Sequence, residues 1–95
     1  MTREFELGEI VCTPSVMLRA QQDGKFCAFL YRSFEKYVMG DWGDICEADQ
    51  ETNEKAIING ERILAVYKYP GDGTIIWIIT EWNRSATTIL FPSEY

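Results

Sequence analysis

The chain has 95 residues and a formal net charge of −6, from 15 acidic and 9 basic residues. A chain of this length builds one hydrophobic core, so we expect a single domain over residues 1–95. The acidic balance argues against a nucleic-acid partner, because contacts to backbone phosphates need a basic surface. The same balance is compatible with a basic protein partner, or with solubility alone.

Two residue types exclude further classes of function. The chain has no histidine, which removes Ser-His and Cys-His nucleophile pairs and His-ligated metals. Its three cysteines, Cys12, Cys27 and Cys46, are widely spaced and predict free thiols in a reducing compartment rather than disulfides or a zinc site. No apolar stretch approaches the roughly 18 residues of a membrane span, and the N-terminus lacks a signal peptide's apolar core. We therefore expect a cytoplasmic protein without a membrane partner.

The N-terminal quarter of the chain predicts a strand followed by a helix. Residues 5–11 are typical of a strand, and Gly8 predicts a bend or bulge within it. Thr13 and Pro14 then form a strong helix start, since threonine caps the helix and proline tolerates the first helical position. The helix is expected to cover residues 14–22.

Two more helices are predicted in the middle of the chain. Apolar residues recur at steps of three and four over 26–38, which predicts one apolar stripe on a helix that ends at Gly40. Asp44 is placed to cap a third helix over about 45–59, with acidic residues in its early turns. Gly60 follows an asparagine and marks the end of that helix.

The last third of the chain predicts strands joined by short turns. Strands are expected over 62–69, 74–80 and 85–91, with turns at 70–73 and 81–84. Consecutive strands with such turns form an antiparallel meander. The fold class is therefore α+β: about three helices precede the meander and pack on one face of an antiparallel sheet of three to four strands, the N-terminal strand being the candidate fourth.

Five consecutive apolar residues stand at 75–79. Alternate side chains of a strand point to opposite faces, so only one set packs under the helices. The other set is covered by the N-terminal segment, or it forms the interface of a symmetric homodimer.

The turn at 40–43 and the acidic residues after it form the first candidate site. Asp41 can bond its own turn backbone and Trp42 can fold onto the core, or both can contact a ligand or partner together with Asp44. The acidic residues do not follow the spacing of a calcium loop. We interpret them as a complement to the helix dipole and a solvated face, and we predict no metal and no cofactor.

The second candidate site is the turn between the last two strands. Arg84 can grip a phosphate or a carboxylate, with Thr87 and Thr88 lining the approach, or it can pair with Glu81 across the turn. Trp82 stands in the same turn, and an exposed tryptophan marks contact surfaces.

Several motifs together resemble a known family. They are Gly8-x-Ile10-Val11-x-Thr13-Pro14, Gly40-Asp41-Trp42-Gly43, Asn53, Gly60-x-Arg62-Ile63 and the C-terminal run from Ile76 to Tyr95. The chain is similar to small bacterial proteins labelled plasmid-related or hypothetical, some of them loosely as a type I restriction subunit. This resemblance implies a mobile-element or phage-linked setting. Many relatives carry a histidine where this chain has Tyr37, which counts against a histidine-dependent enzyme here.

Three functions are compatible with these patterns, and an enzyme is the least supported choice. The first is a non-catalytic acidic protein-binding factor that modulates host defence, such as restriction or CRISPR machinery. The second is a small-molecule or nucleotide-sensing domain, with a polar pocket between the two turns that uses Arg84, Glu81 and Asp41. The third is a structural homodimer joined through the sheet.

Overall fold

The computed structural model describes residues 5–95. These residues form four strands, three α-helices and a terminal 3-10 turn: β1 (Glu9–Cys12), α1 (Pro14–Gln22), α2 (Gly24–Val38), α3 (Glu47–Asn59), β2 (Ile63–Lys68), β3 (Ile75–Thr80), β4 (Ala86–Leu90) and the 3-10 helix Pro92–Glu94. The three α-helices precede the C-terminal strands, so the predicted α+β class is confirmed. Among the described residues, no helix combines the length and the apolar character needed to cross a membrane.

The sheet has the strand order β1-β4-β3-β2. Strands β2, β3 and β4 form the predicted antiparallel meander. Strand β1 pairs with β4 in parallel, with Glu9 opposite Ala86 and Cys12 opposite Ile89, so the sheet is mixed rather than purely antiparallel. The difference follows from connectivity: three helices separate β1 from the meander, and a long crossover allows the parallel direction that a short hairpin does not.

The N-terminal strand is shorter than predicted. Residues 5–8 precede it, and Phe5 and Leu7 are buried members of the hydrophobic core. Gly8 forms the expected bend, with a φ of 65°. Helix α1 has the predicted bounds, and its first turn is capped by Thr13, whose hydroxyl accepts the N–H of Val16 at 3.4 Å.

Helix α3 begins two residues later than predicted. Cys46, not Asp44, occupies the cap position, and no side chain bonds the first turn. The Asp44 carboxylate instead accepts the backbone N–H of Lys68 at 3.0 Å. The Lys68 N–H lies at the sheet edge, where no strand supplies an acceptor. It therefore binds the carboxylate that the local sequence predicted as the cap of α3. The predicted end is confirmed, since Gly60 caps α3 in the left-handed conformation.

The core lies between one face of the sheet and the helices. Its fully buried members include Val16 of α1, Phe26 and Tyr37 of α2, and Ile76 and Ile78 of β3. Ala56 of α3 belongs to the same buried cluster. All three helices therefore contribute to a single core.

A chain of hydrogen bonds crosses this core. The hydroxyl of Tyr37 lies 2.6 Å from that of Thr80, which lies 2.7 Å from the hydroxyl of Thr87. Thr87 in turn donates to the carbonyl of Leu7 at 2.7 Å. The Tyr37, Thr80 and Thr87 side chains are fully buried. This hydrogen-bond network thus joins α2, β3, β4 and the N-terminal segment.

The hydrogen bonds of this chain have only one possible direction. A carbonyl only accepts, so the single hydroxyl proton of Thr87 goes to Leu7. Thr80 must then donate to Thr87, and Tyr37 must donate to Thr80. Burial also raises the pKa of Tyr37 far above its usual value, so this donor stays protonated.

The opposite face of the sheet carries Trp77, which packs edge to face on Tyr95 with ring centroids 5.5 Å apart. The guanidinium of Arg62 donates to the Tyr95 hydroxyl and lies over its ring. Of the N-terminal segment, Phe5 and Leu7 lie in the core and β1 lies at the sheet edge opposite β2, while residues 1–4 lie outside the described residues. Coverage of this face by the N-terminal segment and a homodimer through the sheet both stay predictions.

Arg19 ties α1 to the hairpin between β2 and β3. Its guanidinium bonds Asp23 at 3.2 Å and Asp72 at 2.9 Å. Asp72 also accepts the hydroxyl and the N–H of Thr74, and these bonds, with the pairing to Arg19, lower the pKa of its carboxyl to about 2. The turn and the helix are therefore held together by an ionised carboxylate.

We expect Thr87→Val to destabilise the protein by about 2 kcal/mol or more, because it leaves the buried Leu7 carbonyl without a donor and the Thr80 hydroxyl proton without an acceptor. Tyr37→Phe removes only the first donor and should cost about 1 kcal/mol. Thr88→Val, one residue along the same strand but on the other face, is the control and should change stability by less than about 0.5 kcal/mol. Urea denaturation measures all three. Equal losses for Thr87→Val and Thr88→Val would contradict the buried chain.

The lowered pKa of Asp72 predicts a pH dependence of stability. A carboxyl whose pKa is depressed in the folded state stabilises it above the ordinary pKa, near 4, and loses this contribution as the pH falls toward 2. The melting temperature of the natural protein should therefore exceed that of Asp72→Asn at pH 6, and the gap should close between about pH 4 and pH 2. A gap that stayed constant over this range would show that Asp72 acts through its shape alone.

Candidate functional site

The turn between α2 and α3 closes the open edge of β2. Gly43 lies beside Val66 in a parallel bridge. The N–H of Val66 donates to the Trp42 carbonyl at 3.2 Å, and its carbonyl accepts the N–H of Asp44 at 2.7 Å. With the bond from Lys68 to the Asp44 carboxylate, this turn satisfies backbone groups that β3 cannot reach.

Helix α3 satisfies the remaining part of the same edge. The side-chain amide of Asn53 donates to the Leu64 carbonyl at 2.8 Å and accepts the Leu64 N–H at 3.2 Å. Asn53 is buried, so this pairing takes the place of a strand partner. The sequence resemblance included Asn53 without giving it a role.

Trp42 is a core residue rather than a contact residue. Its side chain is 3% exposed, and its ring packs against Phe5 and Tyr37. The indole N–H donates to the carboxylate of Glu54 at 2.8 Å. Of the two readings of this turn, the structural one therefore describes Trp42.

Asp41 is exposed, and its carboxylate accepts the N–H of Gly43 at 3.1 Å. Its carbonyl accepts the buried hydroxyl of Tyr67 at 2.7 Å. This bonding pattern holds the turn and leaves the second oxygen of the Asp41 carboxylate available. Asp44 is likewise exposed and uses one oxygen on Lys68.

In the second turn, Arg84 has partners other than the ligand or the Glu81 carboxylate that the sequence predicted. Arg84 donates to the carbonyls of Ala56 at 3.0 Å and Glu61 at 2.6 Å, at the C-terminal end of α3. It also bonds the backbone carbonyl of Glu81, not its carboxylate. A guanidinium is stabilised at the negative C-terminal end of a helix. These bonds hold the Arg84 backbone at a φ of 59°, which is strained for any residue other than glycine.

The other predicted residues of this turn do not surround Arg84 as a pocket. Thr87 is buried in the core chain, while Thr88 faces the opposite side of the sheet and is half-buried. Trp82 is 66% exposed and remains a candidate contact residue. Glu81 is half-buried at the end of β3.

The two turns lie at opposite ends of α3. Asp44 stands three residues before the first residue of this helix, whereas Arg84 donates to the carbonyls of Ala56 in its last turn and of Glu61 beyond its end. A helix of 13 residues is roughly 20 Å long. The predicted pocket shared by Arg84, Glu81 and Asp41 is therefore not the arrangement in the fold.

A cleft of about 480 Å³ lies between α2 and the end of β2, and the sequence analysis did not find it. Four basic residues line it: Lys25, Arg32 and Lys36 on α2, and Lys68 on β2. They are four of the nine basic residues of the chain. Within residues 5–95 none of the four side chains forms an ion pair or a hydrogen bond. We call this space the basic cleft.

The basic cleft also has apolar and acidic parts. Phe29 of α2 and Tyr69 line it with half-exposed rings whose centroids are 5.1 Å apart. Asp41 and Asp44 line it where the turn meets β2. It thus combines four cations, two ring faces and two fixed carboxylates, with positive charge in excess.

A sequence signal for the basic cleft did exist. Lys25, Arg32 and Lys36 are spaced by seven and four residues, which places them on one helical face beside the apolar stripe. The overall charge of −6, however, predicts an acidic surface and not a basic one. Lys68 carried no such signal, because its position in the cleft depends on the packing of β2 against α2.

A second, shallower cleft of about 300 Å³ separates the same turn from α3 and has the opposite charge. It is lined by the carboxylates of Asp41, Glu47, Glu51 and Glu54. We call it the acidic cleft. Among the residues that the structure describes, no group of three or more Asp, Glu or Cys side chains is placed to hold a metal ion.

Searches of family models, of curated proteins and of solved structures found no match to this chain. The family resemblance drawn from the sequence motifs therefore stays a prediction.

The close approach of Gly43 to β2 makes a sharp prediction. A Cβ at Gly43 would overlap the Val66 carbonyl and stand 2.7 Å from the Tyr67 ring, whereas one at Gly40 would meet nothing within 4 Å. Both residues have positive φ, so Gly40→Ala isolates the conformational cost, about 1 kcal/mol. Gly43→Ala should cost about 3 kcal/mol or more. Thermal denaturation compares them, and equal losses would mean that the turn does not seal the edge.

Proposed function

We propose that this chain is a non-catalytic binding domain that holds a small anionic ligand in the basic cleft. The observation that carries the proposal is the concentration of four cations there, against two carboxylates, with no ion pair formed by any of the four within residues 5–95. An excess of like charge at one place destabilises a fold, and an anionic ligand would offset it. The volume of the cleft lies within the range of small-molecule sites.

This proposal keeps the ligand-sensing class but changes its residues. Arg84 is bonded to the carbonyls at the end of α3 and to that of Glu81, so Arg32 and Lys36 take the role of anion binders. Of the three residues that the sequence predicted for such a pocket, Arg84, Glu81 and Asp41, only Asp41 lines the basic cleft. The three free thiols support a reducing compartment, and we place the domain in the cytoplasm.

Ligand binding should depend on the cations of the cleft and on salt. We expect Arg32→Ala/Lys36→Ala to weaken the binding of AMP or inorganic phosphate by about tenfold or more, because each charge-assisted bond contributes roughly 1.5–3 kcal/mol. Rising ionic strength should weaken it as well. Lys55→Ala, which removes an exposed lysine of α3 outside the cleft, is the matched control.

Amide chemical shifts in a ¹H–¹⁵N titration measure this binding residue by residue. The proposal requires shifts clustered around Arg32, Lys36 and Lys68. It fails if inorganic phosphate, pyrophosphate and AMP all leave these signals unchanged at low salt. It fails equally if Lys55→Ala weakens binding as much as the double variant does.

A second candidate function is the acidic protein-binding factor. The observation that favours it is the outer surface of α3, which exposes Glu47, Asp49, Glu51 and Glu54 around the acidic cleft. A helix with so few apolar contacts is suited to meeting a partner as well as solvent. Together with the mobile-element setting that the family resemblance implies, this surface suits a basic component of host restriction or CRISPR machinery, bound by charge complementarity.

Retention of native bacterial proteins on the immobilised chain tests this second function. Glu47→Lys/Glu51→Lys reverses the acidic surface without touching the hydrogen bonds that hold the turn. Loss of one retained nuclease or methyltransferase with this variant would support it. Retention that persists unchanged in the variant, or no retained protein at low salt, would contradict it.

A further inference from the structure

Resting on the proposed function, we infer that the basic cleft selects nucleoside monophosphates over triphosphates, and that Asp41 makes the selection. Three features of the cleft carry this inference: the rings of Phe29 and Tyr69, the cations spaced along α2, and the Asp41 carboxylate beyond the C-terminal end of α2. Each feature restricts a different part of the ligand.

The ring faces lie toward the N-terminal end of α2. Phe29 and Tyr69 pack at 5.1 Å with a tilt of 46°, and Tyr69 also meets the buried ring of Phe26 at 5.5 Å. The rings are thus fixed from behind while remaining partly open to the cleft. Ring faces held in this way accept a planar base by stacking, with little regard to its hydrogen-bonding pattern.

The cations follow along the helix at defined steps. Arg32 is about 4.5 Å farther along the α2 axis than Phe29, and Lys36 is about 10 Å farther. A base stacked on Phe29 therefore places its first phosphate within reach of the Arg32 guanidinium, which binds phosphate oxygens in pairs. Each further phosphate extends toward Lys36 and the turn.

The Asp41 carboxylate stands where additional phosphates would arrive. Asp41 follows the C-terminal end of α2, and its backbone N–H donates to the Lys36 carbonyl at 2.9 Å. Its carboxylate accepts the N–H of Gly43, so it cannot swing away without losing that bond. A fixed negative charge beside a β- or γ-phosphate opposes binding of the longer ligand.

Titration calorimetry with AMP, ADP and ATP in magnesium-free buffer tests the selection. The natural protein should bind AMP about tenfold more tightly than ATP, with ADP between them. In Asp41→Asn the difference should fall below about threefold through tighter ATP binding. Asparagine retains an acceptor oxygen for the N–H of Gly43, so the turn is kept. Glu47→Gln, an exposed carboxylate outside the basic cleft, should leave the preference unchanged.

Equal or tighter binding of ATP by the natural protein would overturn the inference, and so would an unchanged preference in the asparagine variant. Failure of all three nucleotides to bind would overturn it too. In that case inorganic phosphate and pyrophosphate separate the two proposals. If either still shifts the Arg32 and Lys36 amides, the anion-binding function stands without this selectivity. If neither does, both proposals fall.

Discussion

Strand β2 is at the edge of the sheet, and its outward backbone groups need partners that no other strand supplies. Three features meet this need: the main chain at Trp42 and Asp44, the Asp44 carboxylate and the Asn53 amide. The path of the chain from α2 to α3 is therefore fixed by these hydrogen bonds together with the burial of the Trp42 side chain in the core. The basic cleft exists because this path brings the turn alongside β2, opposite the charged face of α2.

The two clefts give the domain a marked separation of charge. They share Asp41, which stands between the cations of α2 and the carboxylates of α3. The net charge of −6 is a sum over the whole chain, and it describes neither the basic cleft nor the acidic cleft taken alone. A small anion and a basic protein would consequently approach different sides of the same turn, so the two proposed functions do not compete for one surface.

Local patterns gave the elements of this fold, and long-range contacts decided the rest. Thr13-Pro14 and Gly60 marked helix ends that the structure confirms, because capping involves only neighbouring residues. The parallel direction of β1 and the role of Asp44 could not be read from neighbours, since both depend on strands more than twenty residues away. At the candidate sites, sequence identified chemically capable side chains such as Arg84, but not whether backbone carbonyls already occupied them.

The directed chain of hydroxyls from Tyr37 to Leu7 has a consequence for how the protein folds. These hydrogen bonds join residues that are 43, 7 and 80 positions apart in the sequence. The N-terminal, middle and C-terminal parts of the polypeptide must therefore come together before all of these buried groups are satisfied. A partly assembled core would hold orphaned hydroxyls and an orphaned carbonyl in an apolar setting. Intermediate states are penalised in this way, and the domain should order all at once, without a stable substructure of its own.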